Sequence, residues 1–278
     1  MTEAGVLTNS APSVGVGAAQ ARRLPSALSP SSISTYEQCP KRFEYSRIDR
    51  IPDPSGPDAV LGTFVHAVLE DVLALAPEVR DIEGARAAAT ARRRTLEQDD
   101  EYLGLHLDEA AAGIWRRRAW AAVSGYFALE DPRTVEVLGR EEHVGVEIAG
   151  VAVRGIVDRI DRIEGGAAVV DYKTGKVPGV AYRGKALAQL ELYAAMLAAL
   201  GRPVRRVRLL YVSHGATIES DVGPVEVERA VARVARVDEA IRSDYATSFA
   251  PREGPLCPWC AYQGICPVMS GWERNPRP

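Results

Sequence analysis

The sequence predicts an α/β fold built on a mixed central sheet. Two stretches rich in Val and Ile, residues 151–163 and 167–174, flank Glu164-Gly165-Gly166, and the paired glycines supply the positive φ that a tight hairpin demands. A helical stretch at 185–200 leads into strand-like residues 204–213, the order of a strand–helix–strand crossover. Upstream, Leu61, Phe64, Val65, Val68, Leu69, Val72 and Leu73 form one apolar stripe over 58–76, the pattern of an amphipathic helix.

The chain has 278 residues, 46 % of them hydrophobic, which is enough for one large domain with a sizeable core. Residues 1–28, rich in Ala, Gly, Ser and Val without period, read as a disordered tail, and 271–278 as a second tail around a domain at 29–270. A net charge of −3 excludes a general polycation, so any nucleic-acid contact must come from local basic patches. No signal peptide and no apolar run long enough to span a membrane are found, so a cytoplasmic protein is expected. No Gly-rich loop ends in Gly-Lys-Ser/Thr, which argues against an ATP-driven motor in this chain.

In chain order, a helix begins at 28–32 with serine as N-cap, and the segment 32–48 carries Tyr36, Cys39-Pro40 and Arg42-Phe43. The amphipathic helix 58–76 holds His66, with Gly62 and Glu70 four residues to either side on the same face. Two further helices, 82–96 and 107–129, make a helical insertion over about 82–130. Each carries an arginine triplet, Arg92 to Arg94 and Arg116 to Arg118, which reads first as a solvated face and second as a basic wall beside nucleic acid. Strands follow at 134–148 and 151–163, then the hairpin partner 167–174, the helix 185–200, strands 204–213 and 216–222, and a last helix 224–245.

The chemistry concentrates at the hairpin. Alternation places Asp158 on a face with Ile156 and Ile160, and Asp171 with Val169 and Lys173. Charges on half-buried strands must be paired or bind metal. An Asp–Lys ion pair satisfies the pattern, and so do two hard oxygen ligands for Mg²⁺ or Mn²⁺ beside a water nucleophile. Only four of the 34 cations are lysine, so Lys173 is a departure from the chain's arginine habit, and a compact ammonium suits water positioning better than a guanidinium. Near the C-terminus, within about 250–270, Cys257, Cys260 and Cys266 have a C-x-x-C-x5-C spacing. With Cys39 as fourth thiolate they suit tetrahedral zinc or an iron–sulfur cluster.

The run from Gly155 to Lys176, with Asp158 followed by Asp171-Tyr172-Lys173, resembles the PD-(D/E)XK nuclease core, in particular the RecB-like exonuclease family. Gly62-x-x-x-His66 resembles that family's first motif, Gln189-x-x-x-Tyr193 its motif after the catalytic lysine, and Cys39-Pro40 its amino-terminal segment. The resemblance implies Mg²⁺ or Mn²⁺ held by His66, Asp158, Asp171 and the Tyr172 carbonyl, Lys173 as the residue that orients and activates water, and Gln189 and Tyr193 as substrate-binding residues. The lone upstream cysteine with a C-terminal triad is similar to the iron–sulfur subset, as in the AddB subunit and the CRISPR-associated nucleases. It implies a 4Fe–4S cluster on Cys39, Cys257, Cys260 and Cys266, stapling the two ends of the domain. The expected activity is metal-dependent hydrolysis of single-stranded DNA in repair or recombination, with a helicase or repair protein as partner. The alternatives are trimming of CRISPR spacer precursors and a non-catalytic scaffold that binds DNA ends.

Overall fold

Five strands form one sheet, in the same order as along the chain, in a computed structural model that describes residues 22–269. The strands are β1 (Val137–Ile148), β2 (Val151–Ile163), β3 (Gly166–Lys173), β4 (Val204–Tyr211) and β5 (Ala216–Asp221). All neighbours are antiparallel except β3 and β4, which run parallel. The parallel pair needs a crossover, and helix α7 (Arg183–Ala199) supplies it, so the mixed sheet and the crossover are as the sequence predicts. The tail expected at 271–278 and residues 1–21 of the tail expected at 1–28 lie outside the described residues, whereas within 22–28 Leu28 is buried and bonded to β2, so the tail does not extend to 28.

The remaining helices are α1 (Pro30–Gln38), α2 (Pro40–Phe43), α3 (Pro57–Ala74), α4 (Ile82–Leu96), α5 (Asp100–Leu103), α6 (Glu109–Tyr126) and α8 (Pro224–Ala246). Ser29 caps α1 by accepting from the Ser32 backbone N–H. The short α5 and the 3-10 turn at Pro132–Thr134, where a strand was expected to begin, are not apparent in the hydrophobic pattern. The hairpin turn is tighter than expected. Ile163 pairs directly with Gly166, so Glu164 and Gly165 alone form the loop and Gly166 belongs to β3. Gly165 has φ +77°, the left-handed conformation that glycine adopts without strain.

Alternation along β3 divides the core in two. Val169 joins the cluster under α7 and α8, with Leu190, Met196, Val234 and Ile241. Val170 and Tyr172 join the cluster under α3 and α6, with Val65, Leu69, Trp115 and Tyr126. The sheet is thus covered on both faces, and α3 crosses one of them with His66 aimed at the end of β3.

The two ends of the described residues meet on the α7–α8 side. Leu28 exchanges backbone hydrogen bonds with Ala152 and Arg154 of β2. Tyr36 donates to Asp244 at 2.7 Å, Tyr45 to the Ile265 carbonyl at 2.9 Å and Tyr262 to the Ile51 carbonyl at 3.1 Å. Phe43 packs on Phe249, and Tyr45 on Tyr262. The amino-terminal segment is therefore anchored by aromatic packing as well as by any metal bond.

Close packing makes one glycine testable. A Cβ at Gly125 of α6 would sit 2.2 Å from the Val212 carbonyl oxygen, whereas one at Gly145 of β1 would meet nothing within 4 Å. Gly125→Ala should destabilise the fold by about 1–3 kcal/mol in urea titration, through overpacking against backbone, while Gly145→Ala stays close to wild type. Equal stability of the two variants would contradict this packing.

Candidate active site

The site forms where the β2–β3 ladder ends. The last pair is Arg159 with Val170, and the same register sets Asp158 opposite Asp171 one step further. Asp158 Oδ2 accepts a hydrogen bond from the Tyr172 backbone N–H at 3.2 Å. From α3, His66 places Nε2 2.8 Å from the Tyr172 carbonyl and Nδ1 3.2 Å from Asp158 Oδ2. A carbonyl only accepts, so Nε2 carries a proton. Nδ1 faces the Asp158 carboxyl, at a distance that brings the two into the same cluster. Lys173 Nζ stands 2.6 Å from Asp171 Oδ2, off the direction of a hydrogen bond, so that buried oxygen has a charge partner but no donor aligned on it.

A third carboxylate completes the cluster. The β1–β2 pairs Arg140 with Arg159 and Glu142 with Val157 set Glu141 opposite Asp158. One ligand atom each of His66, Glu141 and Asp158 lie within 4.8 Å of one another, the only such donor group among the described residues. Glu141 was not anticipated as a site residue, although counting back along the antiparallel hairpin from its turn at Ala149-Gly150 puts it across from Asp158. Its φ of +41° marks a local distortion that regular strand patterning does not reveal.

The same distortion corrects the expected strand faces. Val157 and Ile160 both enter the core beneath α7, three residues apart, while Ile156 is 40 % exposed. Asp158 therefore does not share a face with both Ile156 and Ile160, because β2 breaks its alternation at the site. Asp171, Val169 and Lys173 keep theirs.

Electrostatics follow from this crowding. Burial, then Asp171 and Glu141, push the Asp158 carboxyl up to about 8, against the opposing pull of the Tyr172 N–H and Lys173. Burial also raises Glu141, reinforced by Glu70 and Asp171 and opposed by His66. Burial on its own would lower Lys173, but the neighbouring Asp171 and Asp158 outweigh it and hold the ammonium above the ordinary lysine value. Asp158, Glu141 and His66 form a hard donor set that a divalent cation fits, and Asp171, expected as a ligand, stands beside that set but outside the group whose ligand atoms come within 4.8 Å of one another. His66 and the Tyr172 carbonyl, both expected as ligands, are hydrogen-bonded to each other here, so an ion taking both requires that bond to open. Glu70, on the same face of α3 as His66, lies 3.5 Å from Arg92, while the two imidazole nitrogens face the Tyr172 carbonyl and Asp158.

Tyr193 is 6 % exposed, and its hydroxyl lies in hydrogen-bonding reach of Gln189 and the Ile156 backbone. A Cβ at Gly155 would come within 2.6 Å of the Tyr193 ring, so glycine is what lets α7 close on β2 beside Asp158. Behind the site lies a group that strand patterning missed. Arg159 is fully buried and contacts Glu130 at 2.5 Å, Asp161 at 2.8 Å, the Tyr126 hydroxyl at 3.1 Å and the Tyr172 hydroxyl at 3.0 Å.

The arginine triplets are largely neutralised. Arg92 bonds Asp71 twice at 2.6 Å, Arg93 lies 3.6 Å from Glu97, Arg116 2.6 Å from Glu109 and Arg118 2.6 Å from Asp58. They form ion-paired helix surfaces, not the free basic wall of the second reading.

All four cysteines line one cavity of about 280 Å³ between the chain ends. The Arg252 N–H donates to Cys39 Sγ at 3.3 Å and the Gly254 N–H to Cys257 Sγ at 3.4 Å. No three of the sulfurs come within 4.8 Å of one another, so the thiols do not form the tight shell of one tetrahedral ion. The cysteines share a cavity but are not clustered, so the expected iron–sulfur staple is not shown.

A profile of the PD-(D/E)XK nuclease superfamily matches residues 27–267. Among solved structures, SSO0001 is similar at 17 % identity and a TM-score of 0.36, over 76 % of this chain and 95 % of that one. A candidate exonuclease from Eubacterium rectale is similar at 12 % identity and a TM-score of 0.49, over 91 % and 90 %. No curated protein gives a significant match. No helix among the described residues is long and apolar enough to cross a membrane.

The raised Asp158 has a consequence for stability. Its carboxyl binds a proton more tightly folded, at about 8, than unfolded, at roughly 3.9, so the metal-free fold loses stability as pH rises through that window. In EDTA the melting temperature should fall from pH 5 to 8, and Asp158→Asn should melt several degrees above wild type at pH 8. Mn²⁺ should raise the wild type and leave the variant nearly unchanged. Matching melting temperatures for the two proteins at every pH would contradict the assignment.

Proposed function

The chain belongs to the PD-(D/E)XK nuclease superfamily, and on that premise we propose that it is a metal-dependent DNA exonuclease of the RecB-like kind, acting on single strands in repair or recombination. Superfamily membership makes it a phosphodiester hydrolase that uses divalent metal. The observation that carries the finer reading is the meeting of Asp158, Glu141 and His66 at the strand end where Asp171 lies opposite Asp158 and Lys173 stands beside Asp171.

Asp158, Asp171 and Glu141 would hold the ion, with His66 and the Tyr172 carbonyl available once their mutual hydrogen bond opens. When bound, Mg²⁺ or Mn²⁺ supplies charge at the scissile phosphate and acidifies a water. The chain's own residues do the rest. Lys173 stays protonated beside Asp171, orienting the attacking water and countering charge on the phosphate oxygens. Asp158, which burial and its acidic neighbours keep protonated without an ion, would hold one only as the ionised carboxylate. Gln189 and Tyr193 brace β2 from the α7 side and keep Asp158 in register with Asp171.

For the four cysteines we propose a 4Fe–4S cluster in preference to zinc. Zinc with Zn–S distances near 2.3 Å requires its sulfurs within roughly 4.6 Å of one another, closer than any three stand here. A cluster places its own iron and sulfide between the thiolates and suits the wider cavity. Backbone N–H groups on Cys39 and Cys257 stabilise thiolate charge. Its role is structural, closing residues 29–270 into one unit.

Labelled linear and circular single strands incubated with Mn²⁺ test the activity. Release of short products from the linear strand, with the circle intact, is expected. Asp171→Ala and Lys173→Ala should each lower the rate by at least about 10²-fold. Lys173→Arg should be nearly as damaging, because the bulkier fork does not fit the ammonium's place. Wild-type turnover in Lys173→Arg would reduce Lys173 to an ion-pair partner. Anaerobic preparations should contain four irons per chain, lost equally in Cys39→Ala and Cys260→Ala; one zinc per chain would contradict the cluster.

A further inference from the structure

Immediately beyond Lys173 the chain changes character. Residues 172–190 contain no Asp or Glu, yet they hold three of the four lysines. Elsewhere the arginines are mostly matched with acids, as in Arg92 with Asp71, Arg208 with Glu130 and Arg233 with Glu37. No salt bridge reaches Lys176 or Arg183 among the described residues, and both are exposed. Two unpaired cations therefore stand within ten residues of the site.

The same loop presents apolar surface to solvent. Val180 is 77 % exposed and Tyr182 68 %, the two most exposed large apolar side chains among the described residues. They sit on a 3-10 turn, Val180–Tyr182, that is held at both ends. Val177 packs against the core before it, and α7 begins directly after it. Upstream, Thr174 lies against Gly62 of α3, where an added Cβ would meet its hydroxyl at 3.5 Å. A ring left in water on a fixed turn, flanked by unpaired cations, matches what an unpaired base and its neighbouring phosphates require. A duplex offers no free base face to such a ring.

We propose that the loop from Lys176 to Arg183 is the docking platform for single-stranded DNA next to the cleavage site. Tyr182 stacks on an unpaired base, Val180 packs at the base edge, and Lys176 and Arg183 contact the flanking phosphates. The platform rests on reading the adjacent site as a nuclease, but its binding can be measured without cleavage.

The test is fluorescence anisotropy with labelled oligo-dT, a strand of the same length with abasic sites, and a duplex, with the divalent cation chelated so that nothing is cut. Tyr182→Ala should weaken oligo-dT binding about tenfold and leave abasic binding unchanged, and Tyr182→Phe should restore it. The double variant Lys176→Ala/Arg183→Ala should lower the slope of log affinity against log salt by about 1.4 on both single strands. Wild-type affinity for oligo-dT in Tyr182→Ala, equal losses on oligo-dT and abasic strands, or tighter wild-type binding of duplex would each overturn the platform. Cleavage of oligo-dT by wild type with Mn²⁺ is read in parallel. Wild type that cuts while Tyr182→Ala binds normally overturns the platform and keeps the nuclease reading. Base-dependent binding by wild type that never cuts keeps the platform and overturns the nuclease reading.

Discussion

Three carboxyl groups are brought together at the end of the β2–β3 pair, and two of them, Asp158 and Asp171, are largely withdrawn from water. Asp158 and Asp171 oppose each other just past the last rung of the β2–β3 ladder, and Glu141 faces Asp158 from β1. Neither burial nor mutual repulsion is relieved by the protein alone. Lys173 offsets Asp171, the Tyr172 N–H and Lys173 offset Asp158, and Asp158 still sits near 8. A fold that gathers acids this way holds a cost that a divalent cation removes. The local irregularities of β1 and β2 accompany the same arrangement, since regular alternation would turn Asp158 in step with its apolar neighbours.

The residue on each side of that cluster belongs to the scaffold. Arg159 follows Asp158 and is buried on the opposite face, where Glu130, Asp161 and the hydroxyls of Tyr126 and Tyr172 surround it. Tyr172 lies between Asp171 and Lys173, so the Arg159 contact fixes the ring whose own backbone serves Asp158 and His66. Arg159 holds Glu130 below its usual value against the penalty of burial. A buried network of this kind specifies geometry more surely than it adds stability, because removing one member leaves charges without partners. Gly155 performs the matching task on the α7 side by making room for Tyr193.

Much of this was legible in the chain. The hairpin at 151–174, the crossover helix, the apolar stripe of α3 and the placement of Asp171 with Lys173 all follow from period and turn chemistry. What escaped was set by departures from period. Glu141 lies in a stretch that reads as an ordinary polar strand, and only register counting brings it to Asp158. Arg159 looks like a solvent-facing cation because alternation says nothing about partners supplied by Glu130 and Tyr126, some thirty positions away. The arginine triplets keep their first reading, a solvated helix face, and lose the second. A run of like charge looks free in sequence, yet Asp58, Asp71 and Glu109 meet it in the fold. Likewise Cys39 and the C-terminal triad face one cavity, but spacing alone does not say how far apart their sulfurs stand.

The central claim is that Asp158 keeps its proton until a divalent cation replaces it. Calorimetric titration of Mn²⁺ into metal-free protein at pH 7, repeated in buffers with different heats of ionisation, measures the protons released on binding. The account predicts release of about one proton per ion at pH 7, falling toward zero well above pH 8, because a carboxyl held near 8 is protonated at the lower pH and ionised at the higher. Binding whose heat is the same in every buffer at pH 7, or no binding at this site, would contradict it.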